Sequence, residues 1–262
     1  MWVRGKAKDG TTRFYRVASA YAIVRGQRVT LAIRFVLPED ETVEVVADLW
    51  RGLHQRGLRL SCLYLDKGFA SVEVFDYLQR RGQPALIACP IRGKDGGTRA
   101  LCRGNKSYRT VHTFQSGQGQ TFTADIAVCR VFTTAKRTAR HQRRGEWLVF
   151  VLIELDWTPK QCRQRYRKRF GIETSYRLNH KLLGWTTSPN PAYRFVLMGV
   201  GFILLNLWVE LCWEFTQVAR RGGRFLNAQL FRQQRFINFL IHALEQLYGR
   251  ISNITAPAPP LL

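Results

Sequence analysis

The chain has 262 residues and is 46% hydrophobic, which excludes a disordered tail and suffices for one domain with a core and an insertion. Its 41 Lys and Arg against 18 Asp and Glu give a formal net charge of +23, well beyond what solubility needs, and this points to a polyanionic partner, nucleic acid first. The six Cys are widely spaced with no Cys-x-x-Cys pair, which argues against a zinc site and predicts free thiols in a reducing cytosol.

Arg13 to Val24 and Arg28 to Val36 are rich in β-branched and aromatic residues and flank Arg25-Gly26-Gln27, which predicts an antiparallel hairpin. Apolar periodicity through Val45, Val46, Leu49 and Leu53 predicts a helix over Thr42 to Gln55, stopped by Gly57. Leu58 to Leu65 reads as a buried strand with Asp66 at its C-terminal end. Ser71 then caps a helix carrying Val72, Phe75 and Leu78 that ends at Gly82, and Ala85 to Cys89 forms the next strand. Residues 93–157 change character, with Gly-rich turns and strand-like runs at Thr121 to Phe132 and Glu146 to Leu155, as in a β-rich block inserted into an α/β core.

Helix returns at Thr158-Pro159-Lys160, with Thr158 as cap and Pro in the first helical position, and is expected to run to about Leu183. Phe195 to Val209 is uncharged for 15 residues but contains Asn206, short of the roughly 20 apolar residues of a membrane span. It reads as part of a buried core helix over about Pro191 to Ala219, with no membrane partner. A further helix is expected over Leu226 to Tyr248, followed by a disordered Pro-rich tail. The expected organisation is therefore a core from 1 to 92, an insertion from 93 to 157, completion of the core from 158 to 250, and a tail from 251 to 262. The first residues, Met-Trp-Val-Arg-Gly-Lys, lack the apolar stretch of a signal peptide, so a cytoplasmic location is expected.

Tyr166, Arg169 and Glu173 stand at i, i+3 and i+7, within one stripe of a helix, and Arg177 extends that stripe by a turn. Glu173 is the single acid among eight Lys or Arg between Lys160 and Lys181. In isolation such a Glu is an ordinary ion-pair partner. Asp66, at the end of a strand where open α/β sheets gather ligand-binding groups, changes that weighing, although taken alone it also reads as a helix-capping or turn Asp. Arg130 to Arg144 holds six basic residues and no acid, among them Lys136, Arg137, Arg140, Arg143 and Arg144. Trp147, Tyr166, Phe170, Tyr176 and Trp185 lie between or beside the basic clusters, as a groove that also stacks bases needs.

With these residues in view, the chain resembles the DDE transposases of bacterial insertion sequences, in the branch marked by Tyr-x2-Arg-x3-Glu-x6-Lys. Tyr166, Arg169 and Glu173 match that spacing, and Leu65-Asp66-Lys67-Gly68-Phe69 looks like the second catalytic Asp at the end of a core strand. The resemblance implies a ribonuclease H-like mixed sheet with a β-rich insertion and C-terminal helices. It implies two Mg²⁺ ions held by two Asp and one Glu, cleavage of DNA at the element's end, and attack of the freed 3′-OH on target DNA. It further implies double-stranded DNA as partner, a homodimer on that DNA, and a place in the bacterial nucleoid. Tyr166, Arg169, Arg177, His180 and Lys181 would contact DNA.

Two departures stand beside the resemblance. The Lys expected seven residues after Glu173 is His180, with Lys181 one place later. The first Asp of the family, borne on the first core strand, has no counterpart, as though the chain began after that strand. Asp9 is the only acid before the hairpin, and its Asp-Gly setting is a turn signature. The chain alone is accordingly expected to be inactive or nearly so. The alternatives are a catalytically inactive DNA-binding remnant of such a transposase and, on charge alone, an RNA-binding protein.

Overall fold

The computed structural model describes residues 3–8, 11–24, 26–93, 96–134, 143–221, 223–227 and 229–249. In chain order the elements are β1 (Val3–Lys8), β2 (Thr11–Phe14), β3 (Arg16–Val24), β4 (Gln27–Val36), α1 (Thr42–Gln55), β5 (Leu63–Leu65), α2 (Val72–Arg80), β6 (Ala85–Cys89), β7 (Tyr108–Gln115), β8 (Thr121–Thr134) and β9 (Arg143–Ile153). There follow α3 (Pro159–Tyr166), α4 (Gly171–Asn179), α5 (Pro191–Phe215), β10 (Gln217–Arg220), β11 (Gly223–Leu226) and α6 (Gln233–Tyr248). The chain divides into two compact units, Met1–Ala22 with Thr30–Tyr176, and Ile23–Val29 with Arg177–Leu262.

The first unit is built on a five-stranded mixed sheet of order β5-β6-β9-β8-β7. Only β5 and β6 run parallel; the other pairs are antiparallel. This mixed α/β sheet agrees with the ribonuclease H-like class expected from sequence. Alternation along the strands puts Ala85, Ile87, Ile126, Val128 and Val151 on one face, where they pack against Val46 of α1 and Val74, Phe75 and Leu78 of α2. Leu86, Ala127, Cys129, Phe150 and Leu152 take the other face and meet Cys162 and Tyr166 of α3. Burial on both faces is why β6 reads as an unbroken apolar run. Burying each such Leu or Ile contributes about 1.5–3 kcal/mol.

Several boundaries follow from local chemistry. Val45, Val46 and Leu53 form the buried face of α1. Gly57 and Gly82, past the ends of α1 and α2, have φ of 73° and 56°, the left-handed conformation that glycine enters at least cost. Ser71 Oγ accepts from Val74 N, and Thr158 with Gln161 forms a capping box ahead of Pro159.

Elsewhere the elements differ from expectation. The strand expected over Leu58 to Leu65 is confined to Leu63–Leu65, because Leu58 N still bonds to Leu53 O and the Gln83 amide donates to Leu60 O. The expected strand Arg13 to Val24 divides at Tyr15 into β2, which pairs with β1, and β3, which pairs with β4. Strand β7 was not foreseen; it pairs with β8 throughout its length, and β7–β9, from the 93–157 block, belong to the same sheet as β5 and β6. Asp9, Lys136, Arg137, Arg140 and the tail from 251 to 262 lie outside the described residues.

In the second unit α5 is entered through Asn190, whose side chain accepts from Ala192 N and Tyr193 N. It ends at Phe215, short of the expected Ala219, where Thr216 N and Oγ turn back to Cys212 O and the antiparallel pair β10–β11 begins. The expectation of a buried core helix is corrected. By length and composition α5 passes for a membrane span, yet only 28% of its most apolar window is buried. Gly201, Phe202, Leu205 and Cys212 bury one face, while Val196, Val200, Ile203 and Leu207 lie exposed on the opposite one. One such helix is weak evidence for a membrane. Helix α6 begins at Gln233, seven residues later than expected, with Phe236 buried against Phe231.

Candidate active site

Asp66 follows the last residue of β5 and caps the 3₁₀ turn Lys67–Phe69, its Oδ1 accepting from Lys67 N at 2.8 Å. Its side chain is about half exposed, so the capping carboxylate keeps an open side toward solvent. The approach of Glu173 is set by the basic helical stretch, which is not the single helix expected. Helix α3 stops at Tyr166, Arg167–Phe170 form a 3₁₀ turn, and α4 starts at Gly171. Five cations between Arg163 and Arg169 repel one another along a helix, and Gly171 is a poor helix former, so the segment tightens there. In a 3₁₀ turn residues at i and i+3 eclipse, which preserves the stacking of Arg169 over Tyr166 at 5.4 Å.

One guanidinium joins the two carboxylates. Arg169 Nη2 lies 3.5 Å from Asp66 Oδ1 and 3.6 Å from Glu173 Oε1, which limits the separation of those two oxygens to about 7 Å although 107 positions separate the residues. The acids are 47% and 59% exposed and the arginine only 12%, so the carboxylates face water while the cation sits beneath them.

The support is drawn from distant segments. Tyr166 is buried, packs at 4.9 Å against Phe150, and donates its hydroxyl to Leu65 O at 3.1 Å. Burial first of all, and then the carboxylate of Asp66, pushes its phenol up to about 12, while the guanidinium of Arg169 opposes the shift, so the phenol keeps its proton at any physiological pH. Tyr21 of β3 donates to Arg169 O at 2.7 Å, and Tyr176 of α4 donates to Ser19 Oγ at the same distance. Nothing in the local sequence around Ser19 and Tyr21 signals this role; only the packing of β3 on the helical segment reveals it.

The residues expected to contact DNA are dispersed. Tyr166, expected among them, is interior and acts from below by holding Arg169 and Leu65. Arg177 is exposed in the last turn of α4. His180 and Lys181 are exposed but lie in a turn beyond the helix, which ends at Asn179 and not near Leu183; the Lys181 N bond to Leu178 O and the Leu182 N bond to Asn179 O close that turn. Arg143 and Arg144 open β9, opposite Thr134 and Thr133. On the same ladder Arg130 lies over the rings of Trp147, at 4.7 Å, and Phe132, at 5.5 Å, a cation–aromatic stack that composition alone did not pair.

The family model for the transposase DDE domain matches residues 4–190, well over half of the chain and all of the site just described. The chain belongs to that family. No curated protein matches it as a relative.

A transposase DDE domain implies action on DNA, typically with a divalent metal. The donor set suits such an ion: Asp66 and Glu173 supply hard oxygens to one cationic point, and Mg²⁺ is commonly held by one or two carboxylates with water and phosphate filling the remainder. Among the described residues no group of three His, Cys, Asp or Glu is positioned to hold a metal. The described cysteines are all unpaired as disulfides, and burial pushes the thiol of Cys129 up to about 12 and that of Cys162 to about 11.

Proposed function

We propose that this transposase cleaves phosphodiester bonds at insertion-sequence ends and transfers the freed strand to target DNA, with Asp66 and Glu173 as its metal-binding carboxylates. The observation that carries the reading is the convergence of a strand-end Asp and a helix-borne Glu on the same guanidinium. Bound Mg²⁺ would supply charge neutralisation at the attacking and leaving oxygens. Asp66, anchored through Lys67 N, would keep its exposed oxygen toward the ion. Glu173 would approach from the first turn of α4, and Arg177, His180 and Lys181 would meet phosphate. Double-stranded DNA is the partner, engaged by a homodimer in the bacterial nucleoid, with the basic sequence stretch carrying Lys136, Arg137 and Arg140 as a further contact.

A second reading, a DNA-binding remnant without chemistry, is favoured by one observation: the described site holds two carboxylates where a two-metal centre calls for more. Single-turnover nicking of supercoiled plasmid in Mg²⁺ by residues 1–262 separates the two. Weak nicking, lost in Asp66→Asn and in Glu173→Gln while DNA binding persists, supports the transposase reading. Nicking that survives both substitutions sinks the assignment. Tight binding with no nicking at all is the result the remnant reading expects, and robust nicking abolished by Asp9→Ala would make Asp9 the third carboxylate.

A further inference from the structure

We infer that Arg165, held over Trp157 and beside Tyr64, binds a DNA backbone phosphate a short step along the strand from the bond to be cut. The inference rests on the assignment of Asp66 and Glu173 as the cleaving centre, and it adds a contact that lies outside the Tyr166, Arg169 and Glu173 stripe.

The group is assembled from three segments. Tyr64 lies in β5, Trp157 in the link between β9 and α3, and Arg165 in the last turn of α3. The Arg165 guanidinium sits 4.3 Å over the Trp157 ring, and that ring stacks on Tyr64 with centroids 6.4 Å apart and planes 29° from parallel. The Tyr64 phenol feels the charge of the same guanidinium. Both rings are partly buried against the sheet face of Leu86 and Phe150, and the capping box of Thr158 with Gln161 fixes the chain just past Trp157. The platform under the cation is therefore built before any ligand arrives, and less side-chain freedom is lost on binding.

A guanidinium carries its N–H donors in its own plane, so a ring beneath it leaves donor edges that match two oxygens of a phosphate. Arg165 is exposed, and among the described residues no carboxylate takes it in an ion pair. Covering an apolar face is the ordinary role of an arginine stem, and it accounts for the methylenes while leaving the charged head unused. Two routes set the position. Tyr64 stands two residues before Asp66, about 7 Å along a strand, and Arg165 stands four residues before Arg169, about 6–8 Å along the helical axis. Between these pairs Tyr166 donates to Leu65 O, which keeps β5 and α3 side by side. One DNA strand rises about 3.4 Å per nucleotide, so a phosphate on Arg165 lies about two nucleotides from one at the acid pair.

The test is the binding of a short fluorescein-labelled DNA duplex, followed by anisotropy across a salt series, to wild-type residues 1–262 and to Arg165→Ala, Arg165→Lys and Arg163→Ala. Arg165→Ala should bind several-fold more weakly and lower the slope of log affinity against log salt by about 0.9. Arg165→Lys keeps the charge without the planar fork, so affinity should fall with the slope unchanged. Arg163→Ala removes an exposed cation about 200° round α3 from Arg165 and should change both quantities far less. Equal losses for Arg163→Ala and Arg165→Ala overturn the inference. So does wild-type duplex binding by an Arg165→Ala protein whose urea unfolding is shifted, which is the behaviour of a structural cap. Should Arg165→Ala not fold, Arg165→Lys decides, and affinity equal to wild type overturns the inference. Failure of the parent reading shows separately: plasmid nicking that survives Asp66→Asn and Glu173→Gln moves the cut away from the acid pair, and overturns the place given to this phosphate even where the Arg165 variants bind duplex as expected.

Discussion

The hydroxyl of Tyr166 donates to the carbonyl of Leu65, tying the last residue of α3 to the residue that precedes Asp66, 101 positions away. The bond holds the strand end and the arginine-bearing turn in one frame. Tyr166→Phe keeps the ring that packs on Phe150 and removes the hydroxyl that bonds to Leu65 O, so a loss of about 0.5–1.5 kcal/mol in urea unfolding is expected. Any nicking or Mn²⁺ binding should weaken in the same variant. Full stability and unchanged Mn²⁺ affinity would show that the bond does no positioning.

Asp40 anchors the start of the first helical layer. Its carboxylate accepts from Leu37 N at 2.7 Å and from both ends of the Arg34 guanidinium at 3.0 Å. The Leu37 amide first, and then the guanidinium, hold the carboxyl below the usual aspartate range against the opposing effect of burial. A lowered folded value means that the contribution to stability is complete above about pH 4 and disappears as pH falls through that lowered value. Asp40→Asn should therefore lower the melting temperature at pH 7 and cost less near pH 2. An equal deficit at both values would rule out the charged interaction as the cause.

Leu86 lies in β6 with no exposed surface, on the face shared with Phe150, Cys162 and Tyr166. Leu86→Ala should cost about 2–5 kcal/mol, the sum of lost transfer energy and the cavity left behind. Because that face also seats Tyr166, the variant should lose Mn²⁺ affinity at temperatures where it remains folded. A chemical denaturation curve displaced by less than about 1 kcal/mol would show that this layer repacks freely.

DNA binding should be mainly electrostatic. Each phosphate neutralised adds about 0.9 to the slope of log affinity against log salt, so the clustered Lys and Arg predict a steep dependence. Replacing Arg137, Arg140, Arg143 and Arg144 together by Ala should weaken binding and flatten that slope by about one unit for each lost contact. Equal affinity and slope in the quadruple variant, measured by fluorescence anisotropy on a duplex, would remove these four residues from the interface. Preference for structured RNA over duplex in the same assay would favour an RNA-binding role instead.

Where a boundary depends on a few neighbouring residues, the chain announced it. Helix α1 spans Thr42–Gln55 as periodicity required, Ser71 and Thr158 cap the helices they were expected to cap, and β6 occupies Ala85–Cys89. Caps, left-handed glycines and apolar periods act over one or two turns, and their chemistry is written in adjacent residues. The spacing of Tyr166, Arg169 and Glu173 was legible for the same reason, and so was the family. Packing decided the remainder. The break at Arg167–Phe170, the reduction of the Leu58 to Leu65 run to three strand residues, and the exposed stripe of α5 all depend on which surfaces meet, and surfaces meet between segments far apart in the chain. The same holds at the site. Sequence could nominate Asp66 and Glu173, but that one nitrogen of Arg169 reaches both, and that Tyr166 lies buried beneath them and not against DNA, follows from the docking of α3 on the sheet and of β3 on the helical segment, where long-range hydrophobic burial and a few distant hydrogen bonds outweigh local preference.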